Sequence, residues 1–174
     1  MRAGYMPAVG VAEFRDDMPE PQIEKADDVK IKIRNCGICG SEVHAIHGLH
    51  PFRIPPIVSG HEVAGDVVAV GEGVTKFKVG DRVTVEPHYG CGHCWYCDHG
   101  LYNVCPDKKV LGAGPWSGGL GEYIVTPEQT VVKPPDSLTY EEGAPTDPAA
   151  NGLYAVRTSN IAEEPNIAVT GNAP

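Results

Sequence analysis

This sequence predicts a mainly β chain, a small and strongly bent barrel with few helices. Three observations lead there. Short apolar–polar alternations recur up to Pro134-Pro135, and glycine-rich turns separate them. The 174 residues include 21 Gly and 16 Pro but only 7% aromatics. Glycine and proline punctuate helices and furnish turns, which favours many short strands.

The elements follow in chain order. Residues 29–34 (VKIKIR) alternate as a half-buried strand does. Residues 62–70 (EVAGDVVAV) and 82–86 (RVTVE) read as two more, with turns at Gly71-Glu72-Gly73 and Val79-Gly80-Asp81. Residues 122–126 and 130–133 add another two, and this spacing suggests a bent barrel. Beyond Pro134-Pro135 the character changes. Thr139 followed three residues later by Glu142 fits a capping box. Asp147-Pro148 reads as an N-cap with proline in the first helical position, opening a helix to about Arg157. A short apolar run, 166–170, ends at Gly171. The expected division is residues 1–155 for the barrel unit and 156–174 for the start of a helix–strand unit.

Lys+Arg 14 against Asp+Glu 23 gives a formal net charge of −9. That balance argues against a basic nucleic-acid face and against docking on anionic membranes. No apolar run approaches the ~20 residues of a transmembrane helix. The opening MRAGYMPAVG lacks the apolar core of a signal peptide. The expectation is a soluble, cytoplasmic domain, with a homo-oligomer left open.

Six cysteines without a secretion signal point to metal or redox chemistry. Cys91, Cys94, Cys97 and Cys105 form C-x2-C-x2-C-x7-C. Two-residue gaps let thiolates converge on one ion, and four thiolates close a tetrahedral structural zinc site. Paired disulfides, free thiols and an iron–sulfur cluster are the alternatives, and zinc is favoured. This lobe spans residues 88–110, and His93 and His99 inside it read as exposed polar filler. Three more fragments carry chemistry: Cys36-Gly-Ile-Cys39-Gly-Ser41-Glu42-Val-His44, Gly60-His61-Glu62 and Asp147-Pro148. Each alone has a plain explanation: a redox C-x-x-C pair, two strand neighbours facing opposite ways, a helix cap.

Together with GHEVAGDVVAVGEGVTKFKVGDRV, the cysteine lobe, GGLGEYIV and DPAANGLYAVR, these fragments resemble the N-terminal catalytic domain of the zinc-dependent medium-chain alcohol and polyol dehydrogenases. The resemblance runs from about residue 25 to the C-terminus. Its GHE and VEP look closest to the sorbitol and butanediol dehydrogenase branch. It implies a GroES-like barrel and two zinc ions, one catalytic and one structural. Cys39 and His61 then correspond to catalytic zinc ligands, with Glu62 a third ligand or its close partner. Asp147 stands where the polyol branch more often has Glu. It reaches one methylene less, so direct and water-mediated contact with the metal both stay open. Ser41 resembles the hydroxyl that takes the alcohol's proton, and His44 the histidine that passes it to water. Cys36 becomes a small buried thiol. Glu42 replaces the family's usual Asp, which orients the zinc-bound histidine, and its extra methylene puts that bond in question. His47 and His50 read as polar residues on an exposed turn. Phe52, Tyr89 and Trp116 either reach the substrate pocket or pack the barrel.

The resemblance also implies NAD(P) on a Rossmann domain that starts where this chain ends. Gly171 opens the glycine fingerprint as a cofactor contact, and Ala173 occupies the second glycine position. The expectation is an isolated catalytic domain, inactive and without NAD(P) binding alone, whose complete form oxidises a small alcohol or polyol. An exposed apolar patch or self-association is expected where the missing half would pack. The competing reading is a zinc-stabilised binding or assembly module without catalysis. The joint presence of Cys39, His61, Glu62 and Ser41 argues against it. No HExxH motif supports hydrolysis, and the cysteine lobe with GHE argues against the zinc-free quinone reductase branch.

Overall fold

The computed structural model describes residues 1–159. Its centre is a five-stranded antiparallel sheet, and the five strands predicted between residues 29 and 133 lie in it. In chain order the elements are β1 (Ala3–Ala8), β2 (Val11–Arg15), β3 (Asp28–Gly37), α1 (Gly40–Ile46), β4 (Glu62–Val70), β5 (Arg82–Val85) and β6 (His88–Tyr89). They continue with α2 (Trp95–Asp98), β7 (Lys109–Val110), β8 (Tyr123–Pro127), β9 (Val131–Val132), α3 (Tyr140–Gly143) and α4 (Thr146–Thr158). The sheet order is β8-β3-β4-β5-β9. Its two edge strands are joined by a 3₁₀ turn of only 3 residues, Glu128–Thr130. So short a connection between opposite edges requires the sheet to curl round on itself, which gives the predicted bent barrel a physical cause. Register shifts between Lys30/Ile31 and Ile33/Asn35 of β3 add local bends where it pairs with β4.

Alternation of side chains sends Val29 and Ile31 inward, where they meet Val63, Val67, Val83, Val85, Leu111, Ile124 and Val131. The β1–β2 hairpin was not predicted. It docks through isolated bridges Ala3↔Gly121 and Met6↔Ile57. Met6, Ile57 and Ala45 form a second small core, and Ala45 thereby pins α1 to the hairpin.

The capping box at Thr139 and Glu142 is present in both directions. At α4 the prediction needs correction: the N-cap is Pro145, and Asp147 lies inside the first turn. Pro148 is tolerated there because the first four N–H groups of a helix have no intrahelical acceptor to lose. This frees the Asp147 carboxylate from capping. α4 continues to Thr158 across the expected division near 155. No α4 residue is buried, and Leu153 and Tyr154 are exposed. Ile38, Leu49 and Ile54 are likewise exposed. The strand at 166–170 and Gly171 lie outside the described residues. No described helix is long and apolar enough to cross a membrane.

Candidate metal centres

The cysteine lobe is built locally. The β6–β7 pair closes its base through His88↔Val110 and Tyr89↔Lys109, and α2 begins at the Cys94 N-cap. All six cysteines are free thiols. Sγ atoms lie 4.0 Å apart for Cys91–Cys97, 3.6 Å for Cys94–Cys97 and 3.7 Å for Cys94–Cys105. A tetrahedron of ~2.3 Å metal–sulfur bonds has edges of about 3.8 Å, so the four thiols fit one zinc ion. The Cys91 N–H donates to Cys105 Sγ at 3.4 Å and draws that thiol down to about 7, toward the thiolate a metal needs. His93 and His99 are exposed, and His99 stacks on Trp95 at 4.1 Å.

The second cluster is assembled from three distant segments. Cys39 is the N-cap of α1, His61 immediately precedes β4, and Glu62 is its first residue. Asp147 arrives on α4. The ligand atoms of Cys39, Glu42 and His61 lie within 4.8 Å of one another, as do those of His61, Glu62 and Asp147. His61 is shared between these two sets.

Two glycines make the arrangement possible. Gly60 has φ +95°, and a Cβ there would stand 2.7 Å from both Cys36 Sγ and Leu120 N. A Cβ at Gly37, opposite Glu62 in the β3–β4 register, would lie 2.2 Å from Glu62 Oε2. The space above Gly37 is therefore where the Glu62 carboxylate sits.

Glu42 resolves the question its extra methylene raised. Its Oε1 accepts from Ser59 Oγ at 2.8 Å and Gly60 N at 3.3 Å, and lies 3.1 Å from His61 Nδ1. Its Oε2 accepts from Cys39 N at 2.9 Å. Burial pushes this carboxyl up, but His61, Ser59 and the Arg53 charge outweigh it and hold it at about 2. An ionised carboxylate only accepts, so His61 carries its proton on Nδ1 and keeps the Nε2 lone pair for a metal. Both Glu42 oxygens are thus engaged by hydrogen bonds, from Cys39 itself and from residues beside His61.

Ser41 and His44 both lie on α1, three residues apart and so on one face of it. Ser41 Oγ is 3.5 Å from Glu42 Oε2. No side-chain hydrogen bond joins Ser41 to His44 among the described residues. Burial lifts the Cys36 thiol to about 12, aided by the Glu42 and Glu62 charges, which makes a redox partnership with Cys39 unfavourable.

His47 is exposed at the C-cap of α1. His50 departs from the exposed-turn reading, because its Nδ1 accepts from the Arg53 N–H at 3.0 Å and closes a local turn. Trp116 packs against the core, with Tyr89 5.2 Å away and its Nε1 on the Val125 carbonyl at 2.9 Å. Phe52 lies edge-on to His50 at 4.5 Å and is exposed. Sequence reasoning missed α1, although Glu42 three residues after Cys39 is a first-turn signal. It also missed Arg53 and Ser59, which no motif marks.

Comparison with known proteins gives the family. Residues 25–136 match the alcohol dehydrogenase GroES-like domain. Sorbitol dehydrogenase of Bacillus subtilis (strain 168) is 40% identical over 162 residues, 91% of this chain and 46% of that protein. (R,R)-butanediol dehydrogenase of the same strain is 41% identical over 172 residues, 91% and 48% respectively. The crystal structure of 2R,3R-butanediol dehydrogenase from Bacillus subtilis superposes with TM-score 0.79 at 38% identity, covering 90% of this chain and 47% of that one. The chain thus spans less than half the length of these relatives. A barrel curled between joined edges, a four-thiol lobe and a His61-centred cluster accompany that match, and the chain belongs to the zinc-dependent medium-chain alcohol and polyol dehydrogenase family.

Proposed function

We propose that these residues form the metal- and alcohol-handling part of an enzyme that transfers hydride between a small alcohol or polyol and a nicotinamide cofactor. The observation that carries this reading is that two triads from three distant segments, Cys39/Glu42/His61 and His61/Glu62/Asp147, share His61, whose Nδ1 lies 3.1 Å from the Glu42 carboxylate. A module that only bound partners would have no use for that convergence. In this reading Cys39, His61, Glu62 and Asp147 hold a catalytic zinc, and Cys91, Cys94, Cys97 and Cys105 hold a structural one. Bound at the first centre, zinc supplies the Lewis acidity that lowers the pKa of an alcohol hydroxyl. Ser41 Oγ would accept the substrate's hydroxyl proton as it releases its own. His44, on the same face of α1 but not hydrogen-bonded to Ser41, would take that proton through an intervening hydroxyl or water and pass it to solvent.

The nicotinamide nucleotide is held outside the described residues. Their strand pairings are all antiparallel, whereas dinucleotide-binding units are built on parallel strands. The proposed division leaves 1–155 as the metal-binding unit and 156–174, with Gly171, as the start of the nucleotide unit. The 174 residues alone then bind metal and catalyse no turnover.

Native mass spectrometry tests this by counting ions. Two zinc ions are expected, one lost with Cys39→Ser and the other with Cys97→Ser. A single ion retained in Cys39→Ser would favour the non-catalytic module. Micromolar NADH binding to these residues would overturn the division.

A further inference from the structure

Arg53 is 3% exposed and lies on the loop between α1 and β4. Its Nη1 donates to the carbonyls of Leu111 and Gly112, each at 2.9 Å. The same atom lies 3.5 Å from Ser59 Oγ and 3.6 Å from Glu42 Oε1. Leu111 and Gly112 follow β7, the strand that returns from the cysteine lobe, and the Leu111 N–H donates to the Pro87 carbonyl at 2.8 Å just before β6. One side chain thus ties the lobe's base to the carboxylate that holds His61.

Satisfied hydrogen bonding does not account for this burial. Arg53 Nε has no partner among the described residues, and leaving a buried donor unpaired is costly. An apolar residue of similar volume would avoid that cost, as replacements of buried charges often do. It could not supply a positive charge beside Glu42. The charges around His61 make that charge necessary. In the proposed centre the Cys39 thiolate and the Glu62 and Asp147 carboxylates carry one more negative charge than a divalent ion cancels. Glu42, 4% exposed, adds a further negative charge beside a ligand set that repels it. Burying a lone charge costs several kcal/mol.

We infer that Arg53 is a positioning residue of the first metal centre: its buried guanidinium is the counter-charge that holds the Glu42 carboxylate on His61. It is not a metal ligand; its charge faces Glu42 first, and Cys39 and Asp147 beyond it. The inference rests on the proposed metal role of Cys39 and His61.

The test is zinc retention by the 174-residue chain, measured as release of each ion to a chelator. Arg53→Met is expected to weaken the first-centre ion roughly ten- to hundredfold, the usual cost of losing an outer partner of a ligand. The lobe's ion should be unchanged. Arg53→Lys keeps the charge and should recover retention to within about threefold. In a Glu42→Gln background, Arg53→Met should cost several-fold less than in the wild type, because the nearest charge it compensates is gone. A merely structural Arg53 would add its full effect in that background. Should Arg53→Met fail to fold, Arg53→Gln carries the same comparison with a polar, neutral side chain. Wild-type retention in the neutral variants, equal loss in Arg53→Lys, or additivity with Glu42→Gln would each overturn the inference. A wild-type chain that takes up only the lobe's ion would overturn the proposed function as well, which separates the two failures.

Discussion

The two candidate metal-ligand clusters use overlapping chemistry and opposite construction. The lobe draws four thiols from one short stretch, Cys91 to Cys105, closed by the two-residue strands β6 and β7. The other cluster draws on Cys39 after β3, His61 and Glu62 at the start of β4, and Asp147 on α4. A local site needs only its own loop and an ion. A distributed one needs the barrel's register to be right first. The lobe should therefore fail alone, whereas the second cluster should report any disturbance that shifts the barrel's register.

Cys105→Ser should have the largest effect. Cys105 is the buried thiol of the lobe, and structural zinc binding carries an apparent free energy of roughly 10–16 kcal/mol at neutral pH. The lobe's ion should be lost and residues 88–110 should lose amide protection in hydrogen exchange, with β3 and β4 still protected. Loss of protection across the sheet would show that the lobe is not a separate unit.

Gly60→Ala comes next and strikes the other side. The left-handed backbone and the contacts with Cys36 and Leu120 should lower stability by about 1–3 kcal/mol. First-centre metal retention should fall with it while the lobe keeps its ion. Urea unfolding and chelator release together check this, and an unchanged urea midpoint would contradict it.

Tyr140→Phe should have the smallest effect. Tyr140 donates to Asp66, which also receives Arg34 Nε at 2.7 Å. Burial raises the Asp66 carboxyl, but these two partners outweigh it and hold it below the ordinary carboxylate range. A depressed folded-state pKa contributes stability above the unfolded value and loses it as pH falls through the folded one. The variant should lose about 1 kcal/mol near neutral pH and show a shallower decline in acid. An acid limb parallel to that of the wild type would remove Asp66 from the account. Neither metal cluster should respond.

The same contrast governs what the sequence discloses. The lobe is legible because its spacing is itself the geometry, and the strands 29–34 and 62–70 are legible because alternation directly encodes burial. Cys39, His61 and Asp147 could be grouped only through resemblance, since nothing local says that α4 returns to β4. Arg53 was invisible because its partners are the backbone carbonyls of Leu111 and Gly112 and one oxygen of Glu42, none of which leaves a mark beside it in the chain. The start of α4 was misplaced because Asp-Pro is equally compatible with a cap and with the interior of a first turn.

The turn at Glu128–Thr130, which joins one edge of the sheet to the other, also governs how copies of this domain can meet. Exposed sheet edges invite strand-by-strand addition, a route to ordered aggregates. Here Thr130 gives its carbonyl to Glu86 N at 2.8 Å, and the two edge strands are held by the same short piece of chain. Among the described residues the strand edge most open to a neighbour is therefore that of β2, which pairs only with β1 and is exposed along most of its length. Strand addition between copies of this domain should begin at that hairpin rather than at the curled sheet.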